Sequence, residues 1–267
     1  MRLVRPQAYV RALALDGRDA ALRRRRDPLT PPRRLAFVGS GDFRTAGEEF
    51  RELFVDLADL RPDEDVLDVG SGVGRVAVGL TGWLQGRYEG IDVVQRGIKW
   101  CQQAITPRYP NFHFQVADLY NRHYNPEGRV PASEYRFPFD DRSFDFVLLT
   151  SVFTHLLPAD RNNYISEIAR VLRPNGRCFG TFFLLDDEAG RRVREGRDAI
   201  GFRFQRPGFR TNNERIPEAA VAYEEADVRQ EWELNGLQIA GVRYGSWSGR
   251  DDGIGWQDVV VAAQGSL

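Results

Sequence analysis

Cysteine, methionine, histidine and lysine are all scarce in this chain of 267 residues, with two, one, three and one of each. Cys101 and Cys178 fall in a predicted helix and a predicted strand, where a small apolar side chain packs well, so neither a disulfide framework nor a zinc site is supported. The acidic pairs Asp186-Asp187 and Asp251-Asp252 lack the spacing of a metal centre, and no metal is expected. No apolar run approaches the roughly 18 to 20 residues that span a bilayer, and the first residues lack an apolar signal core; no membrane partner and a cytoplasmic location are expected. The 37 basic and 38 acidic residues leave a formal charge of -1. Such a balance offers no basic field for nucleic acid, and a small-molecule partner is expected. The one local cluster, Arg23 to Arg26 with Arg33 and Arg34, reads first as a solvated helix end.

The length suits one large α/β domain with additions. Its most informative stretch is Val66-Leu67-Asp68-Val69-Gly70-Ser71-Gly72-Val73-Gly74-Arg75. An apolar strand ends in an acid and enters a turn of alternating glycines, followed by a helix whose first N–H groups face a ligand. A dinucleotide fingerprint needs glycines at the first, third and sixth places, and the sixth place here is Arg75. The spacing argues against NAD or FAD. A second strand, Arg87 to Asp92, ends in a carboxylate 18 residues past Gly74, where a ribose is held in doubly wound sheets. A third strand, 111–116, closes with Asp118, either a helix cap or a ligand. The nearly continuous apolar run Phe144 to Thr150 suits a strand buried on both faces.

Asp68 followed by Gly70, Gly72 and Gly74 resembles motif I of the class I S-adenosylmethionine (AdoMet) methyltransferases, and Val171-Leu172-Arg173-Pro174-Asn175-Gly176-Arg177 looks like a later turn of that family. The motifs run in order over about residues 66 to 185. The resemblance implies a Rossmann-like α/β fold: a doubly wound seven-stranded sheet, mostly parallel with an antiparallel C-terminal strand, and helices on both faces. It implies AdoMet as cofactor and S-adenosylhomocysteine as product. It places Asp68, Gly70, Ser71, Gly72, Gly74 and Arg75 in the cofactor turn, Asp92 and Val93 at the ribose, Asp118 and Leu119 at the adenine, and Thr150 and Phe153 where the fourth strand delivers chain to the methyl. An N-terminal extension, residues 1–60, is expected to fold over the cofactor, with Phe43 and Arg44 as lid candidates; residues 61–267 form the AdoMet-binding domain.

Two stretches are too long for ordinary connections, about residues 120–137 and 186–222, and both are expected to leave the ligand end of the sheet as substrate walls. The loop carrying Trp247 is a third approach to the substrate mouth. A hydroxyl acceptor needs a base near neutrality, for which imidazole serves. His155, five residues past Thr150, is the first candidate as base or substrate ligand, His123 the second; His113, inside a strand, reads as packed or edge. Tyr223, Glu224 and Glu225 open a predicted helix and are remoter candidates. The leading expectation is methyl transfer to a small molecule, through oxygen on a sugar or specialised metabolite. A non-catalytic nucleoside-binding protein and an aminopropyltransferase of the same fold are the alternatives.

Overall fold

A computed structural model describes residues 6–21, 27–35, 42–122 and 124–265. Its helices are α1 (Pro6–Ala21), α2 (Phe43–Ala58), α3 (Arg75–Leu80), α4 (Gln95–Ala104), α5 (Pro158–Val171), α6 (Asp187–Arg194) and α7 (Glu225–Leu234). Its strands are β1 (Val66–Val69), β2 (Tyr88–Asp92), β3 (Phe112–Val116), β4 (Leu119–Tyr120), β5 (Val130–Pro131), β6 (Phe144–Leu149), β7 (Leu172–Phe182), β8 (Leu184–Leu185), β9 (Phe204–Arg206), β10 (Phe209–Thr211), β11 (Val221–Glu224), β12 (Leu237–Arg243) and β13 (Asp258–Gln264).

Seven strands form the main sheet in the order β12-β13-β7-β6-β1-β2-β3. β1 is parallel to both β2 and β6, and β13 alone runs opposite to the other six strands. The chain winds one way from β1 through β2 to β3 and the other way through β6 to β7, so β1 ends at the switch point where open α/β sheets hold ligands. Alternation along β1 divides the core. Leu67 and Val69 face a cluster with Ile165 and Ile168 of α5 and Trp232 of α7. Val66 faces the other, with Phe54 of α2 and Ile98 and Cys101 of α4.

Helix α2 begins where Asp42 accepts hydrogen bonds from the Arg44 and Thr45 amides, satisfying two of the donors that a helix start leaves unpaired. Its Phe54 is fully buried, edge-on to Phe179 with ring centroids 4.8 Å apart. Two glycines let α2 lie directly on α3: a Cβ at Gly79 would sit 2.0 Å from the Gly47 carbonyl oxygen. No other residue fits there, and the contact brings Phe50 of α2 to the ligand end of the sheet.

Several boundaries depart from the sequence reading. Periodicity carries the helix after the glycine turn to Leu84, but α3 stops at Leu80 because the Thr81 hydroxyl donates to the Val78 carbonyl and Gly82 turns the chain with φ of 76°. β7 starts at Leu172 rather than Cys178, with residues 173–176 looping out of register and Asn175 at φ of 63°. Tyr223 does not open a helix. It lies on β11, fully buried, and its hydroxyl donates to the Leu156 carbonyl.

The 186–222 segment is not an open loop: β9 and β10 within it join β8 and β11, which flank it, in a second sheet of order β8-β11-β10-β9. Under it Phe183, Phe202 and Trp247 form a separate core. Trp247 is therefore not at a substrate mouth: it is fully buried and its indole N–H donates to Asp258 at 2.8 Å. Asp186 caps α6 and pairs with Arg250.

Candidate functional site

A cavity of about 310 Å³ opens at the ends of β1, β2, β6 and the segment after β3. The glycine turn forms its floor. Gly70, Gly72 and Gly74 have φ of 89°, 58° and 72°, left-handed angles that a side chain makes costly. Gly70 is also pinned from outside, since a Cβ there would stand 2.3 Å from Cγ2 of Val152. Gly74 serves another purpose than ligand contact. It caps α3 and faces α4, where a Cβ would stand 2.9 Å from the Cys101 sulfur, and it is not part of the cavity wall.

Two carboxylates meet at this floor. Asp92, at the end of β2, accepts the Gly72 amide at 2.8 Å and the Val94 amide at 2.6 Å. Burial nevertheless holds its carboxyl above the ordinary range, with those two amides opposing the rise. Asp68, in β1, is fully buried beside it. One of its oxygens receives the Tyr88 hydroxyl; the other, Oδ1, has no hydrogen-bond partner, and neither does the buried Ser71 hydroxyl. Burial lifts Asp68 to about 7, the Tyr88 hydrogen bond pulls it down, and the Asp92 charge adds to the rise. A buried carboxylate oxygen without a donor is costly unless a ligand supplies one. The floor therefore calls for a cationic donor at Asp68 and hydroxyl donors at Asp92.

The opposite wall carries His155. Its Nδ1 lies 2.8 Å from the Glu218 carbonyl oxygen, an acceptor only, so Nδ1 bears the proton and Nε2 is left as the basic nitrogen. The Tyr124 hydroxyl stands 3.2 Å from Nε2, with the phenol ring edge-on to the imidazole. Burial pushes the Tyr124 phenol up to about 12, so it stays protonated and donates. Tyr124 comes from the 120–137 segment, and Glu218 from the one at 186–222. Neither segment alone would define the base.

Ser71, Arg75, Val93, Leu119 and Thr150 also line the cavity. Besides Gly74, two expected ligand residues do not. Phe153 is fully buried, stacked on Phe182 at 4.3 Å, because the chain after Thr150 turns its aromatic inward to the core. Asp118 directs its carboxylate to the Arg129 side chain and amide, outside the cavity wall, and that partner holds it below the usual carboxylate range. Phe43 is buried under the Arg75 guanidinium, whereas Arg44 is a surface residue paired with Asp27 and Glu48. His113 is on the edge strand beside Glu89, away from the cavity. His123, Arg23 to Arg26 and residues 36–41 lie outside the described residues. Sequence reasoning missed Phe50, Ser151, Val152 and Tyr164, all in the wall. Phe50 and Tyr164 carry only the helical spacing of core residues, which gives no hint of a cavity.

Residues 67–180 match the family described as a methyltransferase domain. These residues are a class I AdoMet-dependent methyltransferase domain. The O-methyltransferase cnsE of Penicillium expansum is 29% identical over 116 residues, 43% of this chain and 36% of that protein. The PH0226 protein of Pyrococcus horikoshii superposes with a TM-score of 0.58 at 18% identity, over 85% of this chain and 93% of the other. A Burkholderia thailandensis 1,6-didemethyltoxoflavin-N1-methyltransferase, solved with 1,6-didemethyltoxoflavin and S-adenosylhomocysteine, superposes at 0.52 and 18% identity, over 100% and 93%. At such identities the solved structures establish the fold of the methyltransferase domain. The chain spans 36–51% of the length of the first curated relatives it matches.

The residues present fit the domain's cofactor, AdoMet. Asp68 Oδ1, buried and without a donor, would accept its ammonium, Asp92 would accept its ribose hydroxyls, and at Gly72 no side chain intrudes on the open space. Among the described residues no helix is long and apolar enough to cross a membrane.

Proposed function

We propose that this protein transfers a methyl group from AdoMet to a hydroxyl of a small-molecule acceptor, a sugar or specialised metabolite, with His155 as the base. The observation that carries this reading is the geometry at His155: Nδ1 lies 2.8 Å from the Glu218 carbonyl oxygen, Nε2 lies 3.2 Å from the Tyr124 hydroxyl, and His155 and Tyr124 both line the cavity that also contains Asp68 and Asp92.

Bound AdoMet supplies a methyl on a sulfonium, a leaving group that needs no acid. The protein's tasks are to hold the two reactants in line, to exclude water and to take the acceptor's proton. Positioning alone can supply roughly 7–11 kcal/mol of the barrier. The glycine floor and Asp92 fix one reactant, while Phe50 from α2 and Leu119, Leu156 and Tyr164 give the cavity apolar walls that shed water. His155 Nε2 accepts the acceptor's hydroxyl proton as its oxygen bonds to the methyl carbon. The Glu218 carbonyl then stabilises the resulting imidazolium through Nδ1–H. Tyr124 donates to Nε2 until an acceptor hydroxyl takes its place, which keeps the ring oriented.

The test is transfer of label from methyl-labelled AdoMet to a panel of hydroxylated small molecules and to amine counterparts. Label in an ether product, lost in His155→Asn while AdoMet still binds, is the expected result. Label only in amines would refute the hydroxyl acceptor, and AdoMet binding with no transfer to any extract fraction would favour a binding protein.

A further inference from the structure

The chain leaves β6 through Thr150-Ser151-Val152, and Ser151 adopts φ of 59°, a left-handed angle unusual for a residue with a side chain. All three residues line the cavity. A closed triangle of hydrogen bonds holds that angle. The Ser151 amide donates to the Thr181 hydroxyl at 2.7 Å, that hydroxyl donates to Oε1 of Gln257 at 2.7 Å, and the Ser151 hydroxyl donates to the same Oε1 at 3.0 Å. Thr181 is buried on β7, and Gln257 is the residue before β13; neither lines the cavity.

We infer that Thr181 and Gln257 are positioning residues that set the separation between the cofactor floor and the base, an inference that rests on the methyltransferase reading of the site. Two short links carry the effect. The residue after Ser151, Val152, stands against Gly70, where no side chain fits. The Val152 carbonyl accepts the His155 amide at 2.9 Å, opening the single turn that presents the imidazole. A backbone flip at Ser151 would therefore move the glycine floor's neighbour and the base together. Gln257 ties this hinge to the C-terminal hairpin of β12 and β13, whose connecting loop exposes Ile254 and Trp256 at the surface.

The decisive variants are Thr181→Val, which keeps shape and loses both hydroxyl roles, Thr181→Ser, which keeps the hydroxyl, and Thr181→Val with Ser151→Gly, in which glycine adopts the left-handed angle without a clamp. Full-length proteins are titrated with S-adenosylhomocysteine by calorimetry, and the His155 resonance is followed by NMR against pH. Thr181→Val is expected to weaken binding about tenfold and to shift the His155 titration; Thr181→Ser stays within about twofold, and Ser151→Gly restores most of the loss. Wild-type affinity and an unmoved His155 titration in a folded Thr181→Val protein would overturn the inference. So would a loss that Ser151→Gly leaves unrepaired. If wild-type protein binds no S-adenosylhomocysteine, the methyltransferase reading fails, and the His155 titration alone decides the positioning role.

Discussion

The two halves of the cavity are built by different means. The cofactor floor is local: within residues 66–76 the strand, the turn and the helix all border one cavity, and their side-chain partners Tyr88 and Asp92 both arrive from the adjacent strand. The acceptor wall is assembled from distant pieces, His155 after β6, Tyr124 from one inserted segment and the Glu218 carbonyl from another. A local site is defined by backbone angles that few residues can adopt, so its requirements are written into the residue types. A distributed site is defined by tertiary contacts between residues that are ordinary in themselves. Substitution should therefore act on binding in the first half and on turnover in the second.

The sharpest separation comes from His155→Asn. Removing a general base costs typically 100- to 10,000-fold in rate. Asn retains a side-chain N–H for the Glu218 carbonyl, and none of the floor's hydrogen bonds changes. Transfer should fall by that factor in a single-turnover assay, with AdoMet affinity unaltered within about twofold. A parallel loss of affinity would mean that the two halves are not separable.

Gly70→Ala attacks the other half. The new Cβ meets Cγ2 of Val152 at 2.3 Å and forces a left-handed angle on alanine. Strain and overpacking each cost about 1–3 kcal/mol, and displacement of the turn to relieve them is expected to weaken AdoMet binding by roughly 100-fold. Calorimetry measures it. Asp92→Ala removes a charged acceptor worth roughly 1.5–3 kcal/mol and should cost about 10- to 100-fold by the same measurement.

How much was legible follows the same division. The sheet, with β13 as its antiparallel member, was readable because strands such as β1 and β6 carry apolar runs, the glycine turn follows β1, and Asp92 closes β2. Asn175 was readable as a turn residue because asparagine tolerates a left-handed angle, and it has one. The strand at Tyr223 was not, since Tyr-Glu-Glu looks like a helix start until β8 offers it a parallel partner. Trp247 was misplaced for a related reason: glycine and serine around it signal a surface loop, while the indole is drawn inward by Asp258 and two phenylalanines. The Tyr124–His155 pair carried no sequence signal beyond the length of the segment that delivers it.

A smaller effect tests the charge of the floor. Without a ligand, burial keeps the Asp68 carboxyl at about 7, above the ordinary 3.8. Its neutral form suits the folded state, so its contribution to stability is complete below about pH 4 and is lost as pH rises through 7. A ligand ammonium reverses the preference, because it requires the carboxylate. AdoMet affinity should accordingly rise with pH to a plateau above 7 and fall by about tenfold per unit below it, with a proton released on binding. Titrations over about pH 5.5 to 7.5 in buffers of different ionisation enthalpy read both quantities, and Asp68→Asn should abolish the slope.

The smallest effect is expected at Asp118, and it decides how far the local half extends. The strand that ends there is the third in the series that supplies Asp68 and Asp92, so chain order alone would make it a third ligand acid. Its carboxylate instead turns outward to Arg129, side chain 42% exposed, while its neighbours Ala117 and Leu119 line the cavity. The pair with Arg129 is exposed and outside the cavity wall, so Asp118→Ala should change AdoMet affinity by less than about threefold. A loss comparable with that of Asp92→Ala would show that the ligand draws Asp118 away from Arg129. The 120–137 segment, which supplies both Arg129 and Tyr124, would then be moved by cofactor binding, and the two halves would be coupled through that segment rather than independent.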